Sequence, residues 1–366
     1  MPDFLPDYIT FAIGLALLLG SSEMLVRNAA RVARLIGRSS LFIGLTVTAF
    51  GTSAPELAVG ISGQMSQNSD IGLGNIVGSN IFNIFIVLGL AALIRPIVVH
   101  RPAVWRDVPI LLVVCVLFFL FALNGTVGLT ESITLVLALT GYLYYLSRMP
   151  AERSDISIKA APASAAASVS SGLPATLIFI TVSIAVMVAG AHLVVEGAVS
   201  IAGRLGVSEL VSGLTVVAVG TSLPEITTTI AAVRNDQHEL AIGNVMGSCF
   251  FNVVAVPAAM ALVGSTGLIV TTAALTIDMP VMLLAVVACL PIFFSGHRIS
   301  RYEGALFLLY YSVYFVLLYS RSVSDSFFSR HQTEMEVLAL AVVSITFAVI
   351  ILRAIRYHRH HRKELG

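Results

Sequence analysis

The sequence predicts an all-α polytopic membrane protein of about eleven spans, arranged as two inverted five-helix repeats plus one extra C-terminal transmembrane helix. Three observations predict it. The first is composition: apolar residues (AVILMFWYC) make up 57% of the 366 residues, charged residues only 11%, and the mean hydropathy is +0.94. A soluble domain is roughly a quarter charged, so this chain cannot cover its surface for water and is solvated by a lipid bilayer. The second is that apolar runs long enough to cross a bilayer recur from end to end. The third is that one half of the chain repeats in the other.

Taken in order, the spans fall at 5–26, 41–65, 71–94, 108–123, 128–147, 174–195, 208–232, 240–263, 279–295, 302–319 and 337–355. Asp107 and the Asn124-Gly125 turn bound the short fourth span, and Asp107 and Asp278 read as helix N-caps. Lys and Arg set the orientation. With the N-terminus outside, the inner side holds eighteen of the 21 basic residues, among them Arg27, Arg31, Arg34, Arg38, Arg95, Arg101, Arg106, Arg148, Arg234, Arg298, Arg301 and the group Arg353–Lys363. The outer side holds only Arg204, Arg321 and Arg330. This bias puts the C-terminus in the cytoplasm.

The chain divides into a first repeat over 1–147, a linker over 148–173, a second repeat over 174–320, and an added helix with a tail over 321–366. The linker is rich in Ala, Ser and Pro and reads as a mobile cytoplasmic segment too short to hide a regulatory domain. The tail HRHHRKELG reads either as a basic juxtamembrane anchor or as a metal-binding tract. The lack of a large cytoplasmic domain suggests a prokaryotic inner membrane protein.

Several classes are excluded. A net charge of +1 gives no electrostatic footprint for nucleic acid. Cys115, Cys249 and Cys289 lie singly in apolar runs, so they form neither a disulfide framework nor a CxxC metal site. The acidic start MPDFLPDYIT lacks the basic n-region of a signal peptide. No HExxH, GxSxG or Walker pattern stands at a plausible place, so an enzyme and a resident cofactor are not expected. Protein partners cannot be read from the sequence.

The repeat carries the chemistry. GTSAPELAVGISGQMSQNSDIGLGNIVGSNIFN at 51–83 aligns without gaps to GTSLPEITTTIAAVRNDQHELAIGNVMGSCFFN at 220–252. Identities include Thr52/Thr221, Ser53/Ser222, Pro55/Pro224, Glu56/Glu225, Asn75/Asn244, Ser79/Ser248 and Asn83/Asn252. Five spans per copy is an odd number, so the second copy enters from the opposite side, an arrangement that places transporter sites at the repeat interface near the midplane.

Glu56 and Glu225 fall mid-span, where a carboxylate costs a few kcal/mol or more and usually marks an ion or proton path. No Lys or Arg lies centrally in any span to pair with them. Thr52, Ser53 and Glu56 share a helical face, as do Ser79 and Asn83, and both sets recur as Thr221, Ser222, Glu225 and Ser248, Asn252. Together they form a cluster of oxygens with two carboxylates, suited to hard cations. Pro55 and Pro224 break their helices and free carbonyls near Ala49–Thr52 and Ala218–Thr221, which is tolerated in a membrane where the backbone lines a cavity or finds a ligand. The glycines of GLGNIVGSN form no nucleotide loop, since no strand precedes them; Gly74, Gly78, Gly243 and Gly247 read as points of close helix approach. Glu23 and His192 occupy equivalent places near the ends of spans 1 and 6, where interface snorkelling and a gating role are the two readings.

The paired GTSxPE…GNxxGSxxxN blocks in two inverted five-helix halves resemble the cation/calcium exchanger superfamily, in particular its sodium/calcium exchanger branch. The resemblance covers about residues 5–320. It implies an antiporter that exchanges Na⁺ for Ca²⁺ by alternating access, with ion sites between spans 2, 3, 7 and 8 and with spans 1 and 6 sliding across that core. Position by position, it implies that Glu56 and Glu225 are carboxylates shared by both ions and that main-chain oxygens of Thr52 and Thr221 complete the calcium site. Ser53, Ser79, Ser222 and Ser248, with the carbonyls of Ala49 and Ala218, would complete the sodium sites, and Asn83 and Asn252 would line the centre. Some relatives, including potassium-dependent ones, carry Asp where this chain has Asn252, which argues against potassium co-transport. The proton-coupled branch has GNxxE, whereas Gly-Ser stands here. A proton-coupled calcium antiporter, or one for another divalent cation, on the same scaffold is the alternative, and a channel or membrane scaffold comes third. Protons are expected to compete with both ions.

Overall fold

The computed structural model describes residues 5–65, 69–100, 103–148, 172–204, 218–264, 267–272, 274–294 and 297–322, with Ala348. Nearly all of the eleventh span and of the 148–173 linker, the basic tail and the first part of span 7 lie outside the described residues.

The described chain is almost wholly helical. Its helices are α1 (Leu5–Leu35), α2 (Ser40–Thr52), α3 (Ala54–Met65), α4 (Ile71–Ile94), α5 (Trp105–Ala122), α6 (Leu129–Arg148), α7 (Leu173–Arg204), α8 (Ala218–Thr221), α9 (Leu223–Arg234), α10 (His238–Val263), α11 (Met279–Phe294) and α12 (Arg301–Ser322). Six of them are long and apolar enough to cross a membrane, and the bent pair α2–α3 makes a seventh. Of the other expected spans, that at 208–232 is described only from Ala218 and its α9 carries Glu225 and three threonines, while α11 is only 16 residues long.

Two boundaries move. α1 runs on to Leu35 and α7 to Arg204, each about nine residues past its expected end. Hydropathy marks where lipid stops, whereas Arg and Ala continue a helix readily in water. α1 ends where Gly37 takes φ +64° and the Arg38 N–H reaches back 2.9 Å to the Ala33 carbonyl, a glycine C-cap.

α1 and α7 pack antiparallel, so the first helices of the two halves run in opposite directions. Backbone meets backbone along them: a methyl added at Gly14 would lie 2.8 Å from the Gly190 carbonyl, and one at Gly197 would lie 2.9 Å from the Phe11 nitrogen. In lipid, where apolar burial gives no driving force between helices, such small residues let the helices associate.

Four two-residue strands, β1 (Ile97–Val98), β2 (Thr126–Val127), β3 (Leu268–Ile269) and β4 (Arg298–Ile299), were not foreseen from the sequence. β1 pairs antiparallel with β4, and β2 with β3. Each pair joins one strand from each half, and the two-fold relation between the halves exchanges the pairs. Flanking bonds follow the same rule: the Val99 N–H donates to the His297 carbonyl and the Val270 N–H to the Gly125 carbonyl, both at 2.8 Å. Gly125 and His297 hold the same place in their halves, with φ +80° and +54°.

The two-fold also governs two acids, of which Asp107 is fully buried. The hydroxyl of Tyr142 on α6 donates to Asp107, and that of Tyr314 on α12 donates to Asp278 at 3.0 Å. Arg106 adds a 2.7 Å bond to Asp107. Asp107 makes no side-chain cap bond, so the N-cap reading is corrected there: a tyrosine and an arginine occupy its carboxylate instead. Tyr142 also stacks on Phe250 of α10, which places this clasp against the central helix.

α10 is the hub. It packs against α2, α3, α4, α5, α6 and α9, and nearly every residue from Leu240 to Phe250 is buried. Gly243 and Gly247 let α2 come close, with positions for a methyl at 2.6 Å from the Leu41 carbonyl and 2.5 Å from the Ala49 Cβ. A methyl at their equivalents Gly74 and Gly78 would meet no described residue within 4 Å, so close helix approach is seen in the second repeat only.

Candidate cation site

The site is built where both middle helices break. α2 and α3 meet at 45° around Ser53, whose ψ of 9° leaves the helical region. α8 and α9 break in the same way at Ser222, with ψ 6°. The cause is local. Pro55 and Pro224 lack the N–H that a continuous helix would direct at Gly51 and Gly220. The glycines themselves admit α7 from the side, since a methyl there would meet Ile184 at 2.3 Å or Val195 at 2.1 Å.

The break does not free every carbonyl named above. The carbonyl of Ala49 accepts the Ser53 N–H at 3.0 Å and the Thr52 hydroxyl at 3.3 Å, because the helix closes one more turn before it bends. Ala218 begins the described part of α8.

Each break aims its serine at the glutamate of the other half. Ser53 Oγ donates to Glu225 Oε1, and Ser222 Oγ donates to Glu56 Oε1, both at 3.2 Å. Ser248 Oγ on α10 also donates to Glu225 Oε1 at 3.2 Å, and its equivalent, Ser79 on α4, stands beside Glu56. Glu56 and Glu225 are fully buried, and neither is ion-paired among the described residues. Thr52, Thr221, Ser53, Ser79, Ser222 and Ser248 are buried beside them.

Several polar atoms here have no hydrogen-bond partner among the described residues: Glu56 Oε2, Glu225 Oε2, and both amide atoms of Asn83 and of Asn252. Buried polar groups are nearly always bonded, and an orphan calls for an explanation. A site that leaves one oxygen of each carboxylate and two amide oxygens open can accept a bare or partly dehydrated cation. Among the described residues no third acidic, histidine or cysteine side chain joins a metal cluster, so the remaining ligands would be hydroxyl, amide and main-chain oxygens.

α4 passes the site through a π-helical turn, Asn83–Val87, whereas α10 passes Asn252 in regular α geometry and carries Pro257 a turn later. π-turns concentrate at functional sites. The structure adds residues that motif reading passed over as site residues. Asn244 and Thr229 are fully buried and bonded to each other, and Asn244 also to Thr52, while Thr48 and Asn80 are buried with one oxygen each unpartnered. Asn244 was visible as a repeat identity. Thr229 carried no signal, because its counterpart is Gly60. Glu23 does not snorkel: it accepts Asn235 Nδ2 at 2.9 and 3.0 Å and pairs with Arg27 at 2.9 Å, while His192 is exposed.

Two inverted halves that meet in a buried, doubly acidic cluster of oxygens define a membrane transporter for cations. Comparison with known proteins names the family. The family described as sodium/calcium exchanger protein matches this chain twice, over residues 7–148 and 175–320. The chain is 35% identical to inner membrane protein YrbG of Escherichia coli K12 over 246 residues, covering 67% of this chain and 76% of that protein. It is 31% identical to sodium/calcium exchanger MaX1 of Methanosarcina acetivorans over 351 residues, covering 86% of this chain and 98% of that protein. A solved structure of the sodium-calcium exchanger NCX_Mj, soaked with Na⁺ and Ca²⁺, superposes with a TM-score of 0.71 at 28% identity, covering 83% of this chain and 96% of that one. The chain belongs to the sodium/calcium exchanger family. It is a multi-pass membrane antiporter of the cation/calcium type and not an enzyme.

Proposed function

We propose that this chain exchanges Na⁺ for Ca²⁺ by alternating access, with both ions bound in turn between α2–α3, α4, α8–α9 and α10. The supporting observation is the pair of buried glutamates, each with one oxygen held by a serine from the other half and one oxygen unpartnered. Two carboxylates balance one Ca²⁺ or two Na⁺. The main-chain oxygens of Thr52 and Thr221 complete the calcium site in this reading. Ser53, Ser79, Ser222, Ser248 and the carbonyls of Ala218 and of Ala49, which would give up its bond from the Thr52 hydroxyl, serve sodium, with Asn83 and Asn252 at the centre. MaX1 and NCX_Mj, both called sodium/calcium exchangers, support the choice of ions. Calcium uptake into proteoliposomes driven by an opposing Na⁺ gradient tests it; uptake that follows a pH gradient and ignores Na⁺ would replace this reading with proton coupling.

A shared site has a further consequence. Ca²⁺ affinity should fall as Na⁺ rises, and fall again on acidification, because a carboxyl that has taken a proton no longer holds a cation. Equilibrium Ca²⁺ binding across a sodium series at fixed pH and ionic strength measures this directly. An affinity indifferent to sodium would mean separate sites.

In the same reading, residues 1–147 and 174–320 are the repeats, 148–173 is a cytoplasmic linker, and 321–366 adds an eleventh span and a cytoplasmic tail. The arginine bias puts the N-terminus outside. A cysteine placed at Ser164 should then be shielded from an impermeant thiol reagent added to intact cells, and one at Ser324 should react. The reverse pattern would invert the topology.

A further inference from the structure

The two halves of the site agree in their glutamates and serines but differ in what braces them. Around Glu225 the hydrogen bonds close into a ring. Ser248 donates to Glu225, and Thr52 Oγ1 lies 3.2 Å from Ser248 Oγ. Thr52 Oγ1 also lies 3.2 Å from Asn244 Oδ1, so its single hydrogen is shared among Ser248, Asn244 and the Ala49 carbonyl, and Asn244 Nδ2 donates to Thr229 Oγ1 at 3.2 Å. Thr229 stands one turn beyond Glu225 on α9, which closes the circuit through the helix backbone. Every member is fully buried. The ring therefore joins α9, α10 and α2 without exposing a polar atom to lipid.

Around Glu56 a ring of this composition cannot close, because one of its members has no counterpart there. The position equivalent to Thr229 is Gly60, where even a methyl would lie 2.5 Å from Val256 Cγ1 of α10. Denied a hydroxyl, Asn75 turns its amide to the main-chain carbonyl of Glu56, at 2.9 Å, and remains only half-buried. The same asparagine in the two repeats thus has different tasks.

We infer that Asn244 and Thr229 are positioning residues for the cation site, which fix Thr52 and Ser248 so that the Glu225 carboxylate is held in one geometry. The inference rests on the ion site proposed above. Neither residue offers an atom to the ion: both polar atoms of the Asn244 side chain are used within the ring. Outer partners of this kind typically contribute 10–100-fold to metal affinity by orienting the ligands themselves.

Thr229→Val removes the hydroxyl and preserves the shape, whereas Thr229→Ser keeps the hydroxyl. In Na⁺-gradient-driven Ca²⁺ uptake by the full chain in proteoliposomes, Thr229→Val should raise the KM for Ca²⁺ about tenfold while the maximal rate stays within about twofold. Thr229→Ser should restore the wild-type KM. An unchanged KM in Thr229→Val would overturn the inference. So would equal losses in Thr229→Val and Thr229→Ser, which would reveal a packing role. Should Thr229→Val elute aggregated from detergent, Thr229→Ala set against Thr229→Ser is read in the same way. Wild-type protein that took up no calcium would remove the proposed function, and this inference with it; normal wild-type uptake beside an unaffected Thr229→Val removes the inference alone.

Discussion

Glu56→Gln and Glu225→Gln should each abolish calcium transport while leaving the protein folded. Glutamine has nearly the same volume, and its carbonyl oxygen can still accept the serine bonds at 3.2 Å that cross between the halves. What it lacks is charge. One remaining carboxylate cannot neutralise a divalent ion stripped of water in a low-dielectric site. Leaving a buried charge without its partner costs about 3 kcal/mol or more, which is more than about a hundredfold in affinity. A second readout separates lost binding from lost folding. In ion-free detergent each variant should melt no lower than wild type, because two buried carboxylates without counter-ions repel one another. Added Ca²⁺ should raise the wild-type midpoint and leave the variants where they were. Normal uptake by either variant would rule out these glutamates as the ion ligands.

Gly247→Val should be almost as damaging by another route. The added Cβ would lie 2.5 Å from the Ala49 Cβ and 2.8 Å from the Leu45 Cα and carbonyl. Most of these atoms are backbone and cannot rotate away, so α10 and α2 must separate. Overpacking of this kind costs about 1–3 kcal/mol and sometimes more. Here it also moves Ser248, the next residue, off Glu225, and transport should be lost together with several degrees of thermal stability. Gly20→Ala is the control, since a methyl there meets nothing within 4 Å. If Gly247→Val transported and melted like Gly20→Ala, the close approach of α10 and α2 would be wrong.

Much of the arrangement was legible in the sequence because the chemistry was written twice. A lone glutamate in an apolar run is ambiguous, but Glu56 and Glu225 in matching blocks indicate both a site and an inverted architecture. The prolines located the breaks to within a residue or two, since a missing N–H acts where it stands. What escaped detection depends on the partner. Asp107 looks like an N-cap until Tyr142, from a different helix, is found on its carboxylate. The freedom of the Ala49 carbonyl depended on where the helix chose to bend. The strands β1–β4 pair residues about two hundred or one hundred and forty positions apart (Ile97 with Ile299, Thr126 with Ile269), beyond any local pattern. Thr229 is hidden for a different reason: it lies where the two halves have diverged, and repetition is silent about differences.

The crossing of serines to opposite glutamates also bears on how such a protein could have arisen. Neither half completes the bonding of its own carboxylate; Ser53 serves Glu225 and Ser222 serves Glu56. In symmetry terms the chain is an isologous dimer whose protomers have been fused. An unfused unit could assemble a full site only with a sister molecule inserted upside down, so it would have needed a balanced charge distribution and dual topology in the membrane. A strong arginine bias towards one side would have starved it of inverted partners. That bias became usable only after both orientations were carried by one polypeptide, and from then on each half was free to acquire residues, such as Thr229 opposite Gly60, that a true homodimer could never hold on one side alone.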